Sequence, residues 1–240
     1  MGAHVSVASV IWHDLECGAY RADLPLWREL ARSQGTGTIL EIGAGTGRVT
    51  LDLARSAHAM IAVERDDELA AELTRRSRGL PVEVVCADAC YFELEARVSL
   101  CIVAMQTVQL LADRPAFLRC AHASLTAGGV LALAVLGLDV QPFEVELDAD
   151  VVEHRGVRYA SAPTALRETG EQVALERRRT TFDGSAGSVS LDVTTLARLE
   201  PATLAAEGIA AGFAYRDLLS VPPSAEHVGS QVVLLEAIPR

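Results

Sequence analysis

The segment Ile39-Leu40-Glu41-Ile42-Gly43-Ala44-Gly45-Thr46-Gly47-Arg48 constrains this chain more than any other stretch. A short apolar strand, 38–42, runs into glycines at alternate positions and then directly into a helix, 48–56. Glycine tolerates positive φ and lets a ligand approach the backbone closely, and a tight strand-to-helix turn that faces a ligand needs both. Such a turn opens a parallel α/β unit, and the chain beyond it keeps the same alternation. Strands are expected at 60–63, with Glu64 at the end, then at 82–86, 98–105 and 130–136. Helices fall between them at 67–76, where Asp66 supplies a cap, and at 116–125, bracketed by Pro115 and by Gly128-Gly129. Another helix, 24–33, precedes the glycine segment and follows the polar run His13, Asp14, Glu16.

The character changes after Gly137. From Val140 to Leu199 residues alternate, with turn signals at Gly156, Gly170 and Asp183-Gly184. This pattern predicts antiparallel strands at 157–166, 172–182 and 188–198. Pro201 then opens a helix ending near Gly208, and Gly212-Phe213 leads to a last strand pair closing at 231–238. The expected architecture is a doubly wound, Rossmann-like, mostly parallel sheet in a single domain, 1–240. It carries an N-terminal helical lid segment, 1–34, and an inserted antiparallel cap, 140–199, that roofs the site or forms a dimer contact.

The glycine loop is not a dinucleotide fingerprint. That pattern needs a small residue where helix and strand pack closely, and the position counted from Gly43 and Gly45 holds Arg48. This argues against a nicotinamide dehydrogenase. The remaining pattern, E-x-G-x-G-x-G, resembles motif I of the class I S-adenosylmethionine-dependent methyltransferases. The resemblance implies that Gly43, Ala44, Gly45 and Gly47 pass beneath the methionine portion and ribose of S-adenosylmethionine, and that Glu41 supports its amino-acid end. Glu64, at the end of the second strand, matches the family acid that accepts the ribose hydroxyls, and Arg65 flanks the adenine. Asp88-Ala89 resembles the segment whose acid receives the adenine amino group. Met105-Gln106 falls where the family places polar groups beside the transferred methyl. Gln109 lies three residues on, so on a following helix it would share a face with Gln106. Leu125-Thr126-Ala127-Gly128-Gly129 and Ala211-Gly212-Phe213 resemble later family turns.

The leading segment, Trp12-His13-Asp14 to Tyr20, looks like that of small-molecule members, in which it folds over the cofactor. His13 stands where those members have tyrosine. His13, Tyr20 and Gln106 are the candidate catalytic residues. His13 is the proton acceptor of the three because its ordinary pKa is nearest neutral. The reaction implied is in-line transfer of the sulfonium methyl to an O, N or C nucleophile of a small molecule. Alignment alone supplies on the order of 7–11 kcal/mol in well-oriented reactions, so no conspicuous catalytic dyad is required. A protein that binds the cofactor on this fold without methyl transfer, such as a cyclase or a regulatory subunit, is the alternative.

Composition narrows the substrate. The chain has no lysine, which removes P-loop and Schiff-base chemistry. It has no asparagine, which removes the Asn-Pro-Pro-aromatic motif of adenine-N6 DNA methyltransferases. A formal net charge of −11 repels phosphate backbones, so nucleic acid is not the expected partner. No apolar run approaches a membrane span, and the N-terminus lacks the basic-then-apolar pattern of a secretory signal. Cys17, Cys86, Cys90, Cys101 and Cys120 are odd in number and form no CxxC pair, as in reduced cytoplasmic proteins. Cys86 and Cys101 are expected in the core, and Trp12 and Trp27 as core anchors.

Other signals carry less. His13, His58, His122, His154 and His227 show no metal-ligand spacing, so no metal is expected and chelators should not matter. No Gly-x-Ser-x-Gly elbow is present, which argues against a hydrolase. Arg177-Arg178-Arg179 is expected to form a solvated, charge-paired hairpin with Glu168, Glu171 and Glu176.

Overall fold

The computed structural model describes residues 3–56, 58–136, 141–145, 147–224 and 228–239. The chain divides into two compact units, Tyr20–Leu138 with Leu199–Arg240, and Met1–Ala19 with Asp139–Arg198. The helical lead 1–34 is therefore divided at residue 19. Its first helix, α1 (Ala3–Cys17), goes with the antiparallel unit, and its second, α2 (Leu24–Ser33), with the larger one. The expected turning point at Gly137–Val140, and His227, lie outside the described residues.

The larger unit continues with β1 (Ile39–Ile42), α3 (Arg48–Arg55), β2 (Met60–Glu64), α4 (Asp67–Arg76), β3 (Val82–Cys86), β4 (Val98–Val103), α5 (Thr107–Leu110), α6 (Arg114–Ser124) and β5 (Leu125–Val135). The antiparallel unit supplies β6 (Phe143–Glu144), β7 (Asp150–His154), β8 (Val157–Thr169), β9 (Gln172–Phe182) and β10 (Gly187–Ala197). The chain then returns through α7 (Pro201–Ala210), β11 (Phe213–Val221) and β12 (Ser230–Ala237).

The larger unit is a seven-stranded sheet of order β11-β12-β5-β4-β1-β2-β3. Strands β1 to β5 are parallel, while β12 runs antiparallel to both β5 and β11. β1, β4 and the second half of β5 are buried almost throughout, because helices cover both faces of a central parallel strand. Asp66 caps α4 as its sequence predicts, its carboxylate accepting the Glu68 and Leu69 amides at 3.0 Å each.

Several expectations are corrected here. Gly128-Gly129 does not break the chain after a helix. It lies inside β5, where pairing with β4 slips in register, so the glycines form an irregular strand entry. β4 ends at Val103, two residues early, because Met105 turns the backbone to φ +52°. Cys101 is fully buried, and burial pushes its thiol pKa up. Cys86 is exposed instead, since β3 is the last strand of the sheet and has one uncovered side.

The antiparallel unit is a sheet of order β10-β9-β8-β6, with β7 also paired to β8. Pairing between β8 and β9 slips at Pro163, which has no amide to donate. The arginine run is not simply a solvated hairpin. Arg179 donates at 2.7 Å to both carboxylate oxygens of Glu16 on α1 and at 2.8 Å to Asp192. Its guanidinium also lies 5.3 Å from the Trp12 ring centre. Trp12 meets Tyr159 edge-on at 5.2 Å, and Ser161 donates to Glu16 at 2.7 Å. One face of α1 is thereby fastened to this sheet by partners more than 140 residues away, a separation that local pattern does not reveal.

Candidate functional site

In an open parallel sheet, ligands bind beyond the carboxyl ends of the strands where the strand order reverses. Here that point lies between β1 and β4, since the chain winds from β1 outward to β2 and β3, then returns to β4 and β5. The glycine loop leaves β1 at this place, and the Met105–Gln106 turn leaves β4 beside it.

Backbone geometry explains the loop's composition. Gly43, Gly45 and Gly47 have φ of +68°, +55° and +99°, in the left-handed region where a side chain is disfavoured. A Cβ at Gly43 would also come within 2.5 Å of the Thr107 methyl. The loop is tied down at its start, where the Gly43 and Ala44 amides donate to the Val63 carbonyl at 2.8 and 3.2 Å.

Glu64 lies against the loop and is 8% exposed. Its carboxylate accepts the Gly45 amide at 2.8 Å through one oxygen and the Asp66 amide at 2.9 Å through the other. A carboxylate has about four acceptor positions, so half remain for further donors, in number and type a fit to a vicinal diol. Glu41, 2% exposed, lies beneath the loop, and its carboxylate accepts the Thr50 hydroxyl of α3. Burial pushes its pKa up to about 7, although Thr50 and Arg48 act against the rise. The folded protein thus keeps a proton on Glu41 at pH values where the unfolded chain has lost it. Its contribution to stability is full below about pH 4.5 and declines as pH rises to 7, by on the order of 3 kcal/mol. Urea titrations of wild type and Glu41→Gln across this window should show that decline only in wild type. Parallel curves would remove Glu41 as its source.

A further cluster supports the helix that follows the loop. Arg48, at the first turn of α3, donates to both oxygens of Asp23 at 2.6 and 2.7 Å, and to the Tyr20 carbonyl at 3.1 Å. Its guanidinium lies 5.0 Å from the Tyr20 ring centre. The Trp27 indole donates to Asp23 at 2.8 Å, and Trp27 is a core residue as expected. Tyr20 is buried, and burial, with Asp23 nearby, pushes its phenol up to about 12. Asp23 escaped sequence reasoning, although its spacing of four from Trp27 on the entry to a helix was a usable signal.

The remaining candidates are dispersed. Asp88 is exposed and accepts the Cys90 amide at 2.7 Å through one oxygen, with Ala89 buried beside it. Arg65 is exposed. Gln106 is half-buried and stands just before α5, so it does not share a helical face with Gln109. Gln109 is buried, and its side-chain oxygen accepts the Leu136 amide at 2.6 Å. His13 lies on α1, in the antiparallel unit. Among the described residues no group of three or more His, Cys, Asp or Glu is placed to hold a metal, and no helix is long and apolar enough to cross a membrane.

Residues 39–129, from β1 into β5, match the methyltransferase domain family. That stretch is the part of the chain similar to a known methyltransferase domain. Its whole fold, including the antiparallel unit, is similar to that of a sugar N-methyltransferase from Streptoalloteichus sp., with a TM-score of 0.79 and 18% identity over 97% of this chain and 93% of that one. An amino pentose methyltransferase from Micromonospora echinaspora, solved with S-adenosylmethionine bound, gives 0.69 and 18% over 98% and 97%. The curated relatives match over short stretches. The dimethyladenosine transferase of Saccharomyces cerevisiae is 45% identical over 53 residues, which is 22% of this chain and 17% of that protein. In no curated relative named among these matches does the aligned part exceed 30% of its length.

Proposed function

We propose that this methyltransferase domain binds S-adenosylmethionine at the β1–β4 switch point and methylates an O, N or C nucleophile of a small molecule. The observation that carries the reading is the pairing of Glu64 with the Gly45 amide, which joins a half-satisfied carboxylate to a side-chain-free loop. Glu64 would take the ribose hydroxyls, and Asp88, with one oxygen committed to Cys90, would take the adenine amino group through the other. Ala44, Arg65, Ala89 and Met105 would line the same ligand. When bound, the cofactor supplies an activated methyl whose bonding pair stays with sulfur as the methyl leaves. The protein's share is to align the acceptor lone pair and exclude water, and His13, Tyr20 and Gln106 are the side chains proposed for the reacting end.

The small-molecule acceptor is favoured over RNA. The curated relatives named for adenosine methylation align with only 22% and 26% of this chain. The likeness to sugar and amino pentose methyltransferases runs through the antiparallel unit as well. The net charge of −11 and the absence of asparagine point the same way. We place the protein in the cytoplasm. Calorimetry with S-adenosylmethionine and S-adenosylhomocysteine tests the cofactor. A panel of amino sugars against an adenine-bearing RNA hairpin, read by transfer of labelled methyl, tests the acceptor. Tight NADH binding without response to S-adenosylhomocysteine would end the reading, and binding without transfer to any acceptor would favour a non-catalytic cofactor-binding protein.

A homodimer through β10 belongs to the same proposal. This strand is an edge, and Val189, Leu191 and Val193 on one face are 69%, 61% and 51% exposed. Its only charged side chain, Asp192, already accepts from Arg179. An edge without protective charge or proline pairs readily with a second copy. Light scattering should give a dimer for wild type and a monomer for Leu191→Arg. A monomeric wild type would discard it.

A further inference from the structure

The turn after β4 holds a strained residue with tertiary ties on both sides. Met105 has a left-handed backbone at φ +52°, a conformation that residues with a Cβ adopt only when their surroundings enforce it. The helix that follows cannot enforce it alone, for α5 has four residues, about one turn. Two contacts hold it instead. Thr107 packs against the glycine loop so closely that Gly43 has no room for a Cβ. At the other end of α5, the buried Gln109 side-chain oxygen accepts the Leu136 amide at 2.6 Å. Leu136 lies one residue past Val135, the last paired position of β5, so the strand ladder offers its amide no acceptor. A buried amide of this kind requires a partner.

We propose that Gln109 is a positioning residue. By anchoring α5 to the end of β5 it keeps the Met105–Gln106 turn in its strained form at the switch point, and that turn receives the methionine end of the bound cofactor. The inference rests on the cofactor reading above. It divides the site into two halves. The nucleotide half is Glu64, held by the Gly45 and Asp66 amides, whereas the Met105–Gln106 half depends on Gln109.

The test is calorimetry on the full chain with three probes: adenosine, S-adenosylhomocysteine and S-adenosylmethionine. Gln109→Leu removes the acceptor at similar volume. It should raise Kd for the two methionine-bearing probes by about tenfold or more, while adenosine, measured by displacement, stays within about twofold. Gln109→Glu, whose carboxyl oxygen still accepts the Leu136 amide in either protonation state, should return both probes to within about threefold of wild type. Equal weakening of all three probes would mean a structural role only and would overturn the assignment, as would unchanged affinity for all three. Should Gln109→Leu fail to fold, Thr107→Ala loosens the other contact and must show the same split, or the proposal falls. A wild-type protein that binds none of the probes would refute the cofactor reading itself, a result distinct from each of these.

Discussion

Gly45→Val is expected to abolish binding of S-adenosylmethionine and S-adenosylhomocysteine, with affinity falling by at least about a hundredfold. Two effects add. Valine is strongly disfavoured at φ +55°, so the loop must leave its conformation. In leaving, it withdraws the amide that donates to Glu64 at 2.8 Å and holds that carboxylate against the loop. The branched side chain would also stand where a ligand approaches the backbone. Isothermal calorimetry measures the loss, and circular dichroism establishes that the sheet is intact. Retained affinity in a folded Gly45→Val protein would show that the loop does not face the cofactor.

The second large effect concerns stability. Asp23→Ala should destabilise the larger unit by about 3–5 kcal/mol, because it leaves a buried guanidinium and a buried indole N–H without their acceptor. Arg48 and Asp23 side chains are only 8% and 3% exposed, so solvent screens the pair little. This is a large part of the roughly 5–15 kcal/mol that holds a typical domain folded. Removing both charges, as in Asp23→Ala with Arg48→Met, should recover much of the loss, since the unpaired buried charge dominates the cost. Urea denaturation followed by tryptophan fluorescence suits the measurement, as Trp27 itself donates to Asp23. A single mutant within about 1 kcal/mol of wild type would mean that water reaches Arg48 and takes over the role of Asp23.

The two experiments separate roles that lie only three residues apart. Gly45 is proposed to act on the ligand side of the loop, while Arg48 anchors the helix behind it. In the sequence both appear in one motif, and Arg48 is informative chiefly as the residue that excludes a dinucleotide fingerprint. Its actual partner, Asp23, precedes it by 25 residues, just before another helix, a distance at which charge pattern has no predictive power. Gln109 shows the same limit. Spacing of three from Gln106 suggests a shared helical face, but the helix starts only at Thr107, and the side chain turns to the end of β5.

Local pattern in this chain determined the elements and their kinds. Alternating glycines after an apolar strand, the Asp66 cap, the proline openings and the antiparallel alternation after Val140 each reflect forces acting within a few residues. Those forces (φ preference, end-capping of helices, side-chain periodicity) are written into neighbouring positions and can be read there. The family resemblance, and with it the fold, followed from the same short segments. Only the tertiary structure decided which strand is an edge, exposing Cys86 and the β10 row, and which charges meet, as Arg48 meets Asp23 and Arg179 meets Glu16. It also decided that α1 joins the antiparallel sheet while α2 joins the parallel one. Such outcomes depend on burial and on pairing across more than twenty residues, and desolvation makes a pairing strong only after the chain has closed around it.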